Sequence, residues 1–219
     1  MLNSEFCTQK KEGKKHIIFL VFVLKWSESD ERRGGTVEWV EPIRDIEIVN
    51  EIAADLKEQS RRNYIMFAVG IYCGPRISEL LRLKVKDVRN KEEISWIEPK
   101  TGNRRFYPLP PPIKKVLNDY CRGRDKNEYL IRKSNVNRPI SRYRAWEIIS
   151  ECAKAHGLSH IGTHSMRKTF GYHFYKQTGD VAMLMQIFGH SSELQTLRYI
   201  GVTHTVIKEQ VKSFRPFKI

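Results

Sequence analysis

Residues 161–201 constrain this chain more than any other stretch, because capping residues and glycines divide it into three short helices. Apolar residues recur every fourth position after Thr163, a good N-cap, and this spacing predicts a helix that ends at Gly179. Asp180 is predicted to cap a second helix that Gly189 ends. A third short helix can begin at the serines that follow.

This stretch also carries reactive side chains in a fixed order. His164 and Arg167 stand three residues apart on the first helix and therefore point to the same side. His190 follows in a turn, and Tyr199 lies on the third helix. Arginine binds phosphate bidentately, histidine can move a proton near neutral pH, and tyrosine can be a nucleophile. Together they suit a phosphodiester substrate, although each alone is also compatible with a buried structural role.

The boxes that hold these residues resemble those of the tyrosine recombinases, the phage integrase family. His-Ser-Met-Arg from His164 is similar to that family's His-x-x-Arg box, and Phe-Gly-His-Ser from Phe188 resembles its Leu-Gly-His-Ser box. Thr-Leu-Arg-Tyr, which ends at Tyr199 nine residues after His190, resembles its nucleophile box. A lone His-x-x-Arg is a weak signal, whereas three boxes in order at these spacings are specific.

An earlier segment resembles the family's first-arginine box, Gly-x-Arg-x-x-Glu. Gly74 permits a sharp turn, Pro75 suits a helix start, and Arg76 is predicted in the first turn of the helix. Family members often have leucine where this chain has Pro75. Glu79 is predicted to orient Arg76 or its neighbours. The alternative is a solvated arginine at a helix start.

A hairpin is predicted between residues 94 and 109. Ile94 and Trp96 alternate with Ser95 and Ile97, as expected for a strand. Residues 101–103 are typical of a turn, and 105–109 are predicted to form the second extended segment. Lys100 therefore lies beside the tip. The family carries a catalytic lysine on such a hairpin, so the resemblance implies this role for Lys100. The alternative is an exposed turn lysine that touches phosphates.

The resemblance implies a role for each residue. Tyr199 attacks the scissile phosphate and becomes linked to the 3′ end, while Arg76 and Arg167 hold the non-bridging oxygens. His190 donates a further hydrogen bond. Lys100 protonates the departing 5′ oxygen, and His164 handles the tyrosine proton. The phosphotyrosyl bond conserves the energy of the diester, so no cofactor is expected, and no metal site is predicted.

The charge of the chain supports a polyanionic partner. Lys and Arg number 39 against 25 Asp and Glu, a formal net charge of +14. Residues 1–40 hold seven Lys/Arg and six Asp/Glu, so almost all of the excess lies in 41–219. A field of this sign attracts polyanions such as DNA or RNA, although a ribosomal-type or merely soluble basic protein would carry the same charge. The resemblance implies that the partner is double-stranded DNA. The predicted DNA contacts are Arg104, Arg105, Arg138, Arg142, Arg144 and Lys168.

The predicted fold class is α+β: mostly helical, with a small antiparallel sheet. Residues 1–40 are read as a poorly ordered extension and 41–219 as the catalytic domain with its tail. The apolar run 17–24 is too short to span a bilayer, and none of the four cysteines pairs as C-x-x-C. A cytoplasmic, DNA-associated protein is expected, with an apolar face in the tail that could join neighbours in a tetramer on DNA.

Three other functions stay open at this point. A type IB topoisomerase would share the chemistry without joining two sites. A remnant of an integrase could bind DNA and cut nothing. Without Tyr199, the pair of His164 and His190 with Lys100 could cleave RNA by acid–base chemistry without a metal.

Overall fold

The computed structural model describes residues 40–97, 102 and 104–202. In these ranges the chain is mostly helical with one two-stranded antiparallel sheet, which confirms the predicted fold class. The helices are α1 Ile46–Gln59, α2 Arg61–Cys73, α3 Ile77–Leu80, α4 Pro111–Tyr120, α5 Arg142–Ala155, α6 Thr163–Thr178, α7 Val181–Phe188 and α8 Glu193–Tyr199. The strands are β1 Glu93–Ile97 and β2 Arg104–Pro108, and a 3-10 turn lies at Val85–Asp87.

Helix α2 lies at the centre of the core. Its residues 65–69 are all at most 3% exposed, as its continuous apolar sequence predicts. It packs against α1, α4 and α6. Helix α1 begins where the Asp45 carboxylate accepts the Glu47 N–H at 2.9 Å, and it buries Ile52 and Leu56 completely. The sheet and the last three helices are built around this centre.

The hairpin has two different faces. Ile94 pairs with Tyr107, and Trp96 pairs with Arg105. Ile94 and Tyr107 are 2% and 1% exposed, so this face points into the protein. Arg105 lies on the same face because side chains alternate along a strand, whereas Arg104 faces solvent. Lys100, between the two strands, lies outside the described residues.

Glycines end the helices of the C-terminal part at the predicted positions. Gly179 and Gly189 have φ angles of +68° and +67°, and each donates its N–H to the carbonyl four residues earlier. Asp180 caps α7 and Ser192 caps α8 through their side-chain oxygens. At the start of α6 the prediction was wrong by one residue. The cap position is Gly162, because Thr163 is already the first helical residue, and the Ser165 hydroxyl accepts the Gly162 N–H at 3.1 Å.

Besides Lys100, two predictions fall outside the described residues: the extension over 1–40, apart from Val40, and the assembly role of the tail after residue 202. Within the ranges that the structure covers, no helix combines the length and the apolar character needed to cross a membrane.

Candidate active site

Arg167 is held rigidly at the centre of the site. The residue is only 3% exposed. One terminal nitrogen of its guanidinium donates to the Gly74 carbonyl. The other terminal nitrogen donates to the Phe188 carbonyl at 3.2 Å. The guanidinium carbon also lies 4.3 Å from the centre of the Phe188 ring. A guanidinium has five N–H donors, so these two bonds leave donors that can bind an anion.

Glu79 fixes the position of Arg76. One Glu79 carboxylate oxygen lies 3.0 Å from the Arg76 guanidinium, and the other accepts the Arg76 backbone N–H at 2.8 Å. The second oxygen also accepts the Tyr107 hydroxyl at 2.9 Å. Arg76 is the extended residue before α3 rather than a member of its first turn, because the helix begins at Ile77, two residues after the predicted start at Pro75. The carboxylate is 6% exposed, so Arg76 is held by a buried anchor.

The turn before Arg76 needs a glycine for two reasons. Gly74 has a φ of +65°, a conformation that side-chain-bearing residues rarely adopt. A Cβ atom there would also lie 2.4 Å from Cδ1 of the Phe170 ring. The same turn supplies the carbonyl that receives Arg167. The turn at Gly74 therefore leads directly to Arg76 and also holds Arg167 through its carbonyl, which brings the two predicted arginines near each other.

His190 is oriented by a buried hydroxyl that sequence reasoning did not single out. Its Nδ1 lies 3.0 Å from Thr196 Oγ1, and that hydroxyl donates to the Ser192 carbonyl at 3.2 Å. Thr196 therefore accepts the Nδ1–H, which leaves a lone pair on Nε2 while the ring is neutral. Desolvation, followed by the charges of Arg167, Arg76 and Arg105, lowers the pKa of His190 to about 4. The ring is neutral at pH 7.

Tyr199 is the last residue of α8 and packs against aromatic rings. Its ring centre lies 5.1 Å from that of His190 and 5.4 Å from that of Phe188, both nearly edge-to-face. Desolvation raises the pKa of Tyr199, and the charges of Arg167 and Arg76 only partly oppose this effect. The phenol is therefore protonated near neutral pH and needs a base before it can attack.

His164 is the more exposed of the two predicted histidines. Desolvation, and then the charges of Lys168, Arg167 and Arg76, lower its pKa from the usual value. It is therefore neutral at pH 7 and able to accept a proton. Because Arg76 and Arg167 act on the pKa of His164, of His190 and of Tyr199 alike, the structure gathers these five predicted residues around one place.

The predicted DNA contacts lie in different settings. Arg104, Arg138 and Arg142 are exposed. Arg144 is exposed as well and is paired with Glu147. Arg105 donates to the Gln186 carbonyl at 3.5 Å.

Lys168 lies differently from the other predicted contacts. It is 7% exposed, and its ammonium donates to the Val40 carbonyl at 2.7 Å. The same ammonium nitrogen lies 5.4 Å from the centre of the Tyr199 ring. Its charge is thus directed into the site rather than to solvent.

Two further residues of the site, Tyr107 and Thr196, could have been found from spacing. Thr196 precedes Tyr199 by three residues, one helical turn earlier on the same side. Tyr107 stands two residues before Leu109, so in an extended segment the two side chains point to the same, buried face. Desolvation raises the pKa of Tyr107, which keeps its hydroxyl protonated and able to donate to Glu79.

Comparisons with known proteins match most of this chain to one family. The model of the phage integrase family matches residues 44–205. A probable integrase/recombinase, YoeC of Bacillus subtilis strain 168, is 41% identical over 175 residues, which cover 80% of this chain and 97% of the relative. For three further integrase or Xer relatives, the chain spans only 42%, 50% and 52% of their length.

Solved structures show the same fold. A crystal structure of the XerA recombinase matches with a TM-score of 0.66 and 22% identity, over 81% of this chain and 67% of that one. The XerH site-specific recombinase, in a post-cleavage complex with a palindromic difH substrate, matches with a TM-score of 0.65 and 17% identity. That match covers 83% of this chain and 55% of XerH.

Proposed function

The chain belongs to the phage integrase family, and we propose that it is a site-specific recombinase that breaks and rejoins double-stranded DNA through a 3′-phosphotyrosyl bond on Tyr199. The observation that carries this proposal is the clamp on Arg167. Its guanidinium is fixed between the Gly74 and Phe188 carbonyls, and the Phe188 ring touches both His190 and Tyr199. A phosphate bound by Arg167 would therefore meet both side chains.

In the proposed reaction, the Tyr199 oxygen forms a bond to phosphorus while the bond from phosphorus to the 5′ oxygen breaks. Arg76 and Arg167 stabilise the charge on the non-bridging oxygens. His164 takes the phenol proton, and Lys100 gives a proton to the leaving 5′ oxygen. Rejoining reverses these transfers, so the reaction consumes no cofactor.

His190 requires one addition to the mechanism that the sequence suggested. Its Nδ1–H is directed to Thr196, so Nε2 can donate to the phosphate only after it takes up a proton. A bound phosphate places a negative charge beside the ring and favours the protonated form. We propose that His190 is neutral in the free protein and becomes a donor when DNA binds.

The DNA partner is supported by the net charge of +14 and by the DNA substrate in the XerH complex. The three other functions considered from the sequence are not favoured, because the family match and the named relatives are integrases and recombinases. A topoisomerase would relax supercoils without joining two DNA sites, so a strand-exchange assay separates the two activities.

The experiment that tests the proposal traps the intermediate. A duplex taken from DNA flanking the gene, nicked close to the scissile phosphate, loses a short strand after cleavage and cannot rejoin. The parent should form a covalent adduct that survives denaturation. Tyr199→Phe should bind the same duplex with similar affinity and form none. An adduct that persists in this variant would transfer the role to another residue.

We also propose that the segment after residue 202 joins neighbouring chains into a tetramer on DNA. Val206, Val211 and Phe214 can form one apolar face on a short helix, and a helix of that length needs a partner surface. Deleting 206–219 should leave binding to one half-site intact and remove cooperative binding to paired sites in gel-shift titrations. Unchanged cooperativity would refute this role, and insoluble protein would indicate that the segment folds onto its own domain.

A further inference from the structure

A cluster of three metal-ligating side chains lies between α1 and α5. We propose that Asp55, Cys152 and His156 form a zinc-binding site that links these two helices. Their donor atoms, one carboxylate oxygen, one sulfur and one ring nitrogen, all lie within 4.8 Å of one another. This proposal is independent of the proposed recombinase function, since none of the three residues belongs to the candidate active site.

The local sequence explains why the three side chains meet. Cys152 lies in the last turn of α5 and His156 follows four residues later as its C-cap, so the two side chains lie on the same side at that end of the helix. Helix α1 packs against this side and supplies Asp55. Thiolate, imidazole and carboxylate are the three ligand types that zinc prefers, whereas hard cations such as Mg²⁺ avoid sulfur. The ligand set therefore favours zinc over Mg²⁺.

The histidine is already oriented as a zinc ligand would be. Its Nε2 lies 2.8 Å from an Asp55 carboxylate oxygen, and its Nδ1 lies 3.2 Å from a Glu51 carboxylate oxygen. Histidines that bind zinc through one nitrogen commonly donate the other N–H to a carboxylate, which fixes the tautomer. With zinc at Nε2 and Asp55, the contact between Nδ1–H and Glu51 is retained.

The site also has room for a fourth ligand and a balanced charge. A cavity of about 180 Å³ borders Asp55 and Cys152 but not His156, and Arg144 and Glu151 also line it. A water molecule on the side of Asp55 and Cys152 can complete four-coordinate zinc. Cys152 gives its proton to solvent on binding, and the thiolate and the Asp55 carboxylate then neutralise the two charges of the ion. Cys152 is 5% exposed, so the sulfur is shielded from oxidants.

The test uses the full chain, purified without a histidine tag and freed of metal by a chelator. Titration with Co²⁺, which replaces zinc at thiolate sites, should produce a near-ultraviolet sulfur-to-cobalt charge-transfer band that saturates at one ion per chain. Added Zn²⁺ should remove the band. Zinc at 100 times its dissociation constant should raise the Tm by about 5–10 °C.

Matched variants locate the ion. Cys152→Ala should abolish the band, His156→Gln should abolish the zinc-induced rise in Tm, and Glu51→Gln should weaken binding by about 10–100-fold. Cys121→Ala, which removes another buried thiol, should keep the band of the parent. His156→Gln replaces a partly exposed residue and tests the site even if Cys152→Ala does not fold.

Two results would overturn the proposal. One is a folded parent that shows no charge-transfer band with Co²⁺. The other is a band or a zinc-induced rise in Tm that persists unchanged in Cys152→Ala and His156→Gln. In either case the cluster would only be a set of hydrogen-bonding contacts of His156 with Asp55 and Glu51.

Discussion

The surroundings of His190 decide whether its imidazole ring is charged, because they move its pKa away from the value of an ordinary histidine. Three arginines and desolvation hold its pKa near 4 in the folded protein, against 6.5 for an ordinary histidine. Between these values the unfolded chain binds more protons than the folded one, so the free energy of unfolding decreases as the pH falls from about 6.5 to about 4.

This linkage gives a measurable loss of stability in acid. Because the ring is partly open to solvent, we expect His190 to account for about 1 kcal/mol of the stability lost between pH 7 and pH 5, about half of the full linkage value. Urea unfolding of His190→Asn should lack this share of the loss. His160→Gln, at an exposed histidine, serves as the control and should behave like the parent. An identical pH dependence in parent and His190→Asn would show that the ring is not desolvated.

Lys100 can be tested through the leaving group. If it protonates the departing 5′ oxygen, Lys100→Ala should lower the cleavage rate by about 10²–10⁴-fold. A substrate with sulfur in place of that oxygen leaves as a thiolate, whose conjugate acid has a pKa of about 8.5 and needs no proton donor. The sulfur substrate should restore most of the rate to Lys100→Ala. Arg104→Ala is the control, because a DNA-backbone contact gains nothing from the sulfur. Equal rescue of both variants would remove the acid role from Lys100.

The sequence could identify those side chains whose chemistry is unusual for a core. Arg167 and Tyr199 stood out because a charged group and a nucleophile recur in family boxes. Tyr107 and Thr196 did not, because a buried tyrosine and a helical threonine are common in any core. Their roles depend on which polar group they face, Glu79 and His190 respectively. Packing between separate elements sets the pairing of Tyr107 with Glu79, whereas Thr196 meets His190 across the turn that leads into α8.

At the scale of elements, α6 approaches α7 and α8 closely because of one glycine. A Cβ atom on Gly171 would lie 2.6 Å from Ile200 Cγ2 and 2.7 Å from Phe188 Cζ. Phe188 and Ile200 stand next to the turn of His190 and the end of α8. The absence of a side chain at Gly171 therefore allows the three helices to bring their reactive residues together.

Gly171→Ala separates packing from helix propensity. Propensity alone predicts that alanine in mid-helix raises stability by about 1 kcal/mol. Overpacking costs about 1–3 kcal/mol, so we expect the free energy of unfolding to fall by up to about 2 kcal/mol in urea titration. The cleavage rate should fall as well, because Phe188 and Ile200 must move. A more stable and fully active variant would show that the helices are not in close contact at this point.

Periodicity and capping residues predicted which segments are helical, but they were less accurate for the residue at which a helix begins. The ends at Gly179 and Gly189 follow from backbone conformation, which is a local property. The start of α6 was misplaced by one residue, because Gly162 and not Thr163 occupies the cap position. The sequence predicted that no cysteine has a zinc-ligand spacing with histidine. The proposed site departs from this prediction because Asp55 comes from α1, and only packing brings it to Cys152 and His156.

At the scale of the whole molecule, almost all of the net positive charge and every family motif lie after residue 40. We propose that residues 41–219 form the catalytic domain and that 1–40 are an extension to it. A chain that begins at Thr36 should fold with a Tm within a few degrees of the parent and form the covalent adduct. Misfolding of this shortened chain would show that the apolar run 17–24 belongs to the core.

The central claim is that Tyr199 carries the DNA after cleavage, and the most direct test identifies the residue to which the DNA is attached. The adduct formed on a nicked duplex labelled at its 5′ end is digested with nuclease and then with a protease that cuts after lysine. Peptide Gln177–Lys208 contains Tyr199 as its only tyrosine. Mass spectrometry should find this peptide carrying a nucleotide through a 3′-phosphate on Tyr199. A nucleotide on any other peptide, or a 5′ linkage, would contradict the mechanism.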